Sequence, residues 1–212
     1  MPFLKSIVSR CRSWCAPKDF RPPLTPEQAR HASLALARQT RLHLGCGSNV
    51  LSGWANVDLE GSHPVIEWDL TRPLPAHKGS FDYIYSEHFI EHIRFSEAKA
   101  LLRDCHRLLK PGGRIRLSTP DLEKLVSEFQ AGKVNEWADM QWTPATPCQM
   151  LNEGMRLWGH QFLYDFTELR AILTEAGFKD IERQAWRVSR HPPLEQLESR
   201  PFHDELIIEA TT

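Results

Sequence analysis

Leu42 to Asn49 reads "LHLGCGSN". A short apolar strand here runs straight into glycine-x-glycine, and the turn this makes lets backbone N–H groups approach a ligand closely. Two glycines after a strand can also make a tight turn and nothing more, so the flanking pattern has to decide. Downstream, "WANVDL", "PVIEW" and "FDYIY" are strand candidates, and a long helical pattern follows from about Phe89 to Leu109. "PGG" then turns the chain into "RIRLSTP", a fifth strand. Strand–helix alternation of this kind predicts a parallel sheet with helices on its faces. "DFTELRAILTEAGF" is a helix that ends at Gly177, and "KDIERQAWRV" and "DELIIEA" are late strands.

Before this core, "RPPLTPEQ" opens a helix over 26–39. Thr25 is its N-cap, Pro26 takes the first helical position, and Gln28 falls where a capping box needs it. Residues 121–132 form another helix. Residues 133–163 carry Trp137, Trp142, Trp158, Pro144 and Pro147 without a clean period, and read as a substrate-side lid or insert. With Tyr164, the three tryptophans make either an aromatic wall for a sugar ring or another flat substrate, or the small core of that lid.

The chain has 212 residues, 41% hydrophobic and 25% charged, with a formal net charge of -1. One soluble domain accounts for this, and no nucleic-acid partner is expected from so even a charge balance. The five cysteines are scattered, which points to a reducing, cytoplasmic setting rather than a disulfide framework. No apolar window is long enough to cross a membrane. Residues 1–24 are a basic extension, and within it 1–20 read either as a frayed terminus or as a short helix touching a membrane surface or partner.

In a doubly wound sheet the carboxyl ends of the strands line one crevice, where ligands bind. Gly45, Gly47, Asp58, Asp69 and Ser86 should therefore converge. Asp58 ends the second strand, the place for a ribose acceptor, and Asp69 ends the third, within reach of an adenine amino group. About ten residues separate Gly47 from Asp58, too few for a helix and a strand. The first crossover is thus expected to be a loop or a single turn, with Asp58 or Glu60 serving the ribose.

"LHLGCGSNVLSGWANVDL … WDL … FDYIYSEHFIEHI … HRLLKPGGRIRLSTPDL … FTELRAILTEAGF" resembles the S-adenosylmethionine-dependent methyltransferases of the Rossmann-like class. The resemblance covers residues 41–183, and "ELIIEA" suits the last, antiparallel strand of that fold. "LGCG…GW.NVD" is similar, more narrowly, to a bacterial branch often found with cell-surface polysaccharide synthesis. The resemblance implies an α/β fold: a doubly wound, mostly parallel seven-stranded sheet, helices on both faces, an antiparallel last strand, and a methyltransferase domain over 25–212. It implies S-adenosyl-L-methionine as cofactor, with Leu44, Gly45, Cys46 and Gly47 around the methionine end. Asp58 and Leu59 would hold the ribose, Asp69 and Leu70 would meet the adenine, and Ser86, Glu87 and His88 would border the sulfonium. The usual third glycine is absent, since Ser48-Asn49 follows Gly47.

"SEHFIEHI", Ser86 to Ile93, contains H-x-x-E-H. On a helix His88, Glu91 and His92 share one face, as in one family of zinc peptidases. Placed directly after the strand "FDYIY", the same residues read instead as a helix start, with Glu91 near its N-terminus, or as a cofactor or substrate contact at His88. No metal is expected. His88 and His160 are the candidate catalytic bases. Asp121 and Glu123 are alternatives, although Asp121 is also a natural N-cap and His160 also reads as a core or capping histidine. The expected acceptor is a small molecule or glycan. No Asn-Pro-Pro-Tyr tetrapeptide follows the fourth strand, which favours an oxygen acceptor. A nicotinamide-dependent oxidoreductase fits less well, lacking the third glycine and any Tyr-x-x-x-Lys pair. A non-catalytic binding protein of the same fold is the reading from a different class.

Overall fold

The computed structural model describes residues 25–137 and 140–212. The basic extension 1–24, with its suggested membrane-surface role, lies outside them. Thr25 caps as its sequence dictates: its hydroxyl accepts from the Gln28 N–H at 3.1 Å, and the Gln28 side chain accepts from the Thr25 N–H at 2.8 Å. Helix α1 (Pro26–Leu36) begins there and buries Ala32 and Leu36.

The strands β1 (Arg41–Leu44), β2 (Ala55–Asp58), β3 (Ile66–Glu67), β4 (Phe81–Glu87), β5 (Leu109–Thr119), β6 (Lys179–Arg183) and β7 (Leu206–Thr211) make one sheet of order β3-β2-β1-β4-β5-β7-β6. All neighbours run parallel except β7, which is antiparallel to β5 and β6. Leu44 pairs with both Val57 and Ser86, so β1, β2 and β4 end level with one another. The doubly wound sheet with an antiparallel last strand is thus present. The first crossover holds only turns, as its length required. Asn56 takes over much of the hydrogen bonding there: its side chain donates to the Leu51 and Trp54 carbonyls and accepts from the Leu51 N–H.

Helices α2 (Phe95–Leu108) and α5 (Phe166–Ala176) pack into the main core. Ile84, Ile115 and Leu117 of the sheet share that core with Leu101 and Leu102 of α2 and Leu169 and Leu173 of α5. Gly177 closes α5 in the left-handed conformation at φ 105°, as the sequence predicted. Alternation along β4 sends Tyr85 to the opposite face, where it meets Trp54 and Leu194 of the surrounding connections. Helices α3 (Leu122–Gln130) and α4 (Pro147–Arg156) form a second cluster, in which Leu125, Trp142, Met150 and Leu163 are buried together. The 133–163 stretch therefore holds a helix that its irregular pattern hid.

Two elements differ from expectation. The helix expected from Phe89 starts only at Phe95, after a short 3-10 turn at Ile90–His92. His88 adopts φ 48°, and the Glu91 carbonyl accepts from Gln161 at 2.7 Å and Phe162 at 3.2 Å rather than from the next turn of a helix. His88, Glu91 and His92 consequently do not share a helical face. The strand expected through Val188 stops at Arg183, because the Ala185 and Val188 carbonyls turn to the Arg116 guanidinium, at 3.2 and 2.9 Å.

Arg116 is wholly buried on β5. It pairs with Glu198 at 2.6 Å and with Glu209, directly opposite it on β7, at 2.7 Å. Removing one member of such a cluster strands the others as unpaired buried charges. Arg116→Ala is expected to cost about 3–5 kcal/mol by urea denaturation, whereas replacing all three residues with apolar ones of similar volume should recover most of the loss. His43, buried on β1 and donating from Nδ1 to Asn56 at 3.1 Å, has its pKa pushed down by burial to about 4. A folded-state pKa below the unfolded value stabilises above the latter and loses that contribution as pH falls. Stability should therefore drop between about pH 6.5 and 4 by on the order of 3 kcal/mol from this group. His43→Phe should flatten the acid limb of a stability–pH curve.

Candidate functional site

The level ends of β1, β2 and β4 place the predicted residues along one rim. Gly45 and Gly47 take φ 63° and 54°, a left-handed path that side chains disfavour. A Cβ at Gly45 would also lie 2.6 Å from the Phe89 ring, so this position admits only glycine without movement. The Cys46 N–H donates to the Val57 carbonyl at 3.1 Å and extends the β1–β2 ladder into the loop. Asp58 then fixes the loop from the next strand: one carboxylate oxygen accepts from the Gly47 N–H at 2.7 Å, the other from the Leu59 N–H at 2.7 Å. Lone pairs remain on both oxygens, so a hydroxyl ligand can still be accepted there.

Asp69 lies just past β3. One of its oxygens accepts from the Thr71 N–H and hydroxyl at 3.0 and 2.7 Å, and the other faces Arg72 at 3.4 Å. Leu70 beside it is buried and Leu59 half-buried. The Ser86 hydroxyl donates to the Leu44 carbonyl at 3.0 Å, joining β4 to the start of the glycine loop. Glu87 is spent elsewhere: its carboxylate accepts from the Ser199 N–H and hydroxyl at 2.9 and 2.7 Å, and from the Arg200 N–H at 3.3 Å.

Past the rim, His88 enters a buried cluster. Its Nδ1 lies 3.3 Å from Glu91 Oε1 and its Nε2 lies 3.5 Å from Glu205 Oε1. Burial works against the imidazolium, but the Glu205 and Glu91 carboxylates outweigh it and hold the pKa above the usual value. Glu91 has no exposed surface, and burial alone would raise its pKa. His88, His92 and His160 instead hold it well below the ordinary carboxylate range. His92 is pushed down to about 4, chiefly by burial, and burial also lowers His160. The His92 and His160 rings sit 5.0 Å apart. His160 donates from Nδ1 to the Gly154 carbonyl at 2.9 Å, which leaves Nε2 as its lone-pair nitrogen.

His88, His92 and His160 line a cavity of about 50 Å³. Trp137, Trp142 and Trp158 wall it together with His203, which stacks on Trp137 at 4.5 Å between ring centres. Trp142 is at once wall and core, buried with its indole N–H donating to Glu153 at 2.8 Å. Tyr164 is not part of the wall, since it is fully buried in the main core against Phe162. Asp121 caps α3 through the Glu123 N–H and, with Glu123, pairs with Arg183, so both acids are engaged structurally.

Sequence reasoning missed Arg200, His203 and Glu205, which line the same cavity from the segment before β7. The only signal was a run of charged and aromatic residues next to a terminal strand, "SRPFHDE".

No curated protein matches the chain by sequence. Solved structures share its fold at low identity. An S-adenosylmethionine-dependent methyltransferase from Thermotoga maritima, described as a possible histamine N-methyltransferase, superposes with a TM-score of 0.52 at 16% identity, covering 100% of this chain and 99% of its own. An S-adenosylmethionine-dependent methyltransferase from Archaeoglobus fulgidus gives a TM-score of 0.51 at 17% identity, over 88% of this chain and 92% of its own. The methyltransferase domain family matches residues 18–183. With the glycine turn, the level strand ends and the sheet order all in place, the chain belongs to the methyltransferase domain family.

Proposed function

We propose that the protein transfers the methyl group of S-adenosyl-L-methionine to an oxygen of a small-molecule or glycan acceptor, in the cytoplasm. One observation carries this reading. The last residues of β4 join the two halves of the site, Ser86 bonding to the glycine loop and His88, two residues on, lining the aromatic cavity. Nucleotide rim and acceptor cavity therefore meet where a methyl group would have to pass between them.

The rim suits the cofactor. Leu44–Gly47 present backbone without side chains at both glycines, and on this reading Asp58 and Leu59 serve the ribose and Asp69 and Leu70 the adenine. S-adenosylmethionine supplies a methyl group on a sulfonium, already a good leaving group. What remains for the chain is to align the acceptor, exclude water and take up the acceptor's proton. Of the two candidate catalytic histidines, His88 is held between two carboxylates and serves best to position and stabilise charge. His160, half-buried with a free lone pair, is better placed to meet an acceptor oxygen. The aromatic segment 133–163 acts as the lid. A cavity of about 50 Å³ holds only a few water molecules. A sugar ring enters by displacing this segment, and the indoles then close on its apolar face.

Isothermal titration with S-adenosylhomocysteine should give micromolar binding, weakened by roughly tenfold or more, about 1.4 kcal/mol, in Asp58→Ala. A wild-type protein that binds none would sink the reading. With labelled S-adenosylmethionine and a panel of surface-glycan sugars, Trp158→Ala should raise the acceptor KM by about threefold to tenfold and leave the S-adenosylhomocysteine affinity unchanged.

A further inference from the structure

We propose that Glu91, His92 and His160 form a site for one divalent first-row transition-metal ion, open toward the acceptor cavity. One ligand atom from each of the three lies within 4.8 Å of the other two. Two imidazoles and a carboxylate suit zinc, manganese or ferrous iron, and leave coordination positions for a substrate. Bonds of about 2.0–2.2 Å put the ligand atoms of a four-coordinate ion roughly 3.4 Å apart. Glu91 Oε1 and His92 Nε2 already stand at 3.8 Å, so small side-chain movements close the set.

The hydrogen bonds around the cluster are those a metal site needs. The Glu91 carboxylate accepts from the Thr119 hydroxyl through Oε2 at 3.0 Å, while its fully buried Oε1 is turned to the histidines, 3.3 Å from His88 Nδ1 and 3.8 Å from His92 Nε2. His160 donates its Nδ1–H to a backbone carbonyl, the arrangement that fixes the tautomer and ring orientation of metal-binding histidines. The bonds from Gln161 and Phe162 to the Glu91 carbonyl fasten the segment bearing His160 to the turn bearing Glu91 and His92. Arg200 on the cavity wall opposes a cation, and the half-buried Glu205 on the same wall supplies a second carboxylate.

The sequence suggested no metal, and its H-x-x-E-H pattern pointed to His88 as the partner of Glu91 and His92. In the fold His160, some seventy residues on, joins Glu91 and His92, while His88 stays beside Glu91 at 3.3 Å. The ion's role, though not its binding, rests on the methyl-transfer reading. With the ion bound, the His160 lone pair would be spent on the metal, and the ion would replace it as the group that meets the acceptor. The acceptor hydroxyl would bind the ion and release its proton to solvent before the site closes. Its oxygen then forms the bond to the methyl carbon, and the carbon–sulfur electron pair leaves with sulfur as the neutral thioether.

The test uses the full chain, stripped with EDTA and titrated separately with Zn²⁺ and Mn²⁺, with metal content measured after dialysis and S-adenosylhomocysteine titrated in parallel. Expected are about one ion per chain and affinity at least about 100-fold weaker in His160→Ala, with thermal midpoint and S-adenosylhomocysteine affinity kept. Glu91→Gln, which retains the side-chain volume, should show the same loss. Binding of less than about 0.1 ion per wild-type chain, or wild-type metal affinity in both variants, overturns the proposal. Metal binding without S-adenosylhomocysteine binding leaves the site standing and removes the methyl-transfer reading. The opposite result does the reverse.

Discussion

A single buried carboxylate organises this molecule. Glu87 finishes β4 with little access to water, and a carboxylate there must be supplied with donors. It finds them in the backbone of Ser199 and Arg200, more than one hundred residues later. That attachment fixes the segment between β6 and β7 across the end of the sheet. Glu198, one residue before the attachment, reaches Arg116, and Glu205, a few residues after it, reaches His88. The buried ion cluster on β5 and the charged wall of the cavity thus depend on one anchoring point.

Local signals were legible in the sequence and distant ones were not. Thr25, Pro26 and Gln28 announce α1 because every partner in a capping box lies within one turn. Gly177 ends α5 for an equally local reason. The glycine loop and the strand-end acids could be read because a parallel sheet brings strand ends together whatever covers it. The helix expected at Phe89 failed because the Glu91 carbonyl is claimed by Gln161 and Phe162, and no window around Phe89 contains that information. The strand beyond Arg183 failed likewise, since Arg116 takes the carbonyls it would have used. His160 could be named as a candidate, but its pairing with His92 could not.

The short first crossover shows how the fold tolerates an omission. Turns cannot satisfy their own backbone as a helix does, and here one side chain on β2, Asn56, does much of that work while accepting from His43 as well. Trp54 then covers Tyr85 on the face the turns leave.

Gly45 and Phe89 approach so closely that not even a methyl group fits between them. Phe89 immediately precedes the turn that carries Glu91 and His92, so the glycine loop and the histidine cluster cannot shift independently. A ligand that moves the loop also moves the turn, and a ligand that fixes the turn restrains the loop. If either ligand distinguishes the two arrangements, its affinity must depend on the other, and thermodynamics makes that dependence equal in both directions. The absence of a side chain at residue 45 thus ties the affinities of the two halves of the site to a single van der Waals contact.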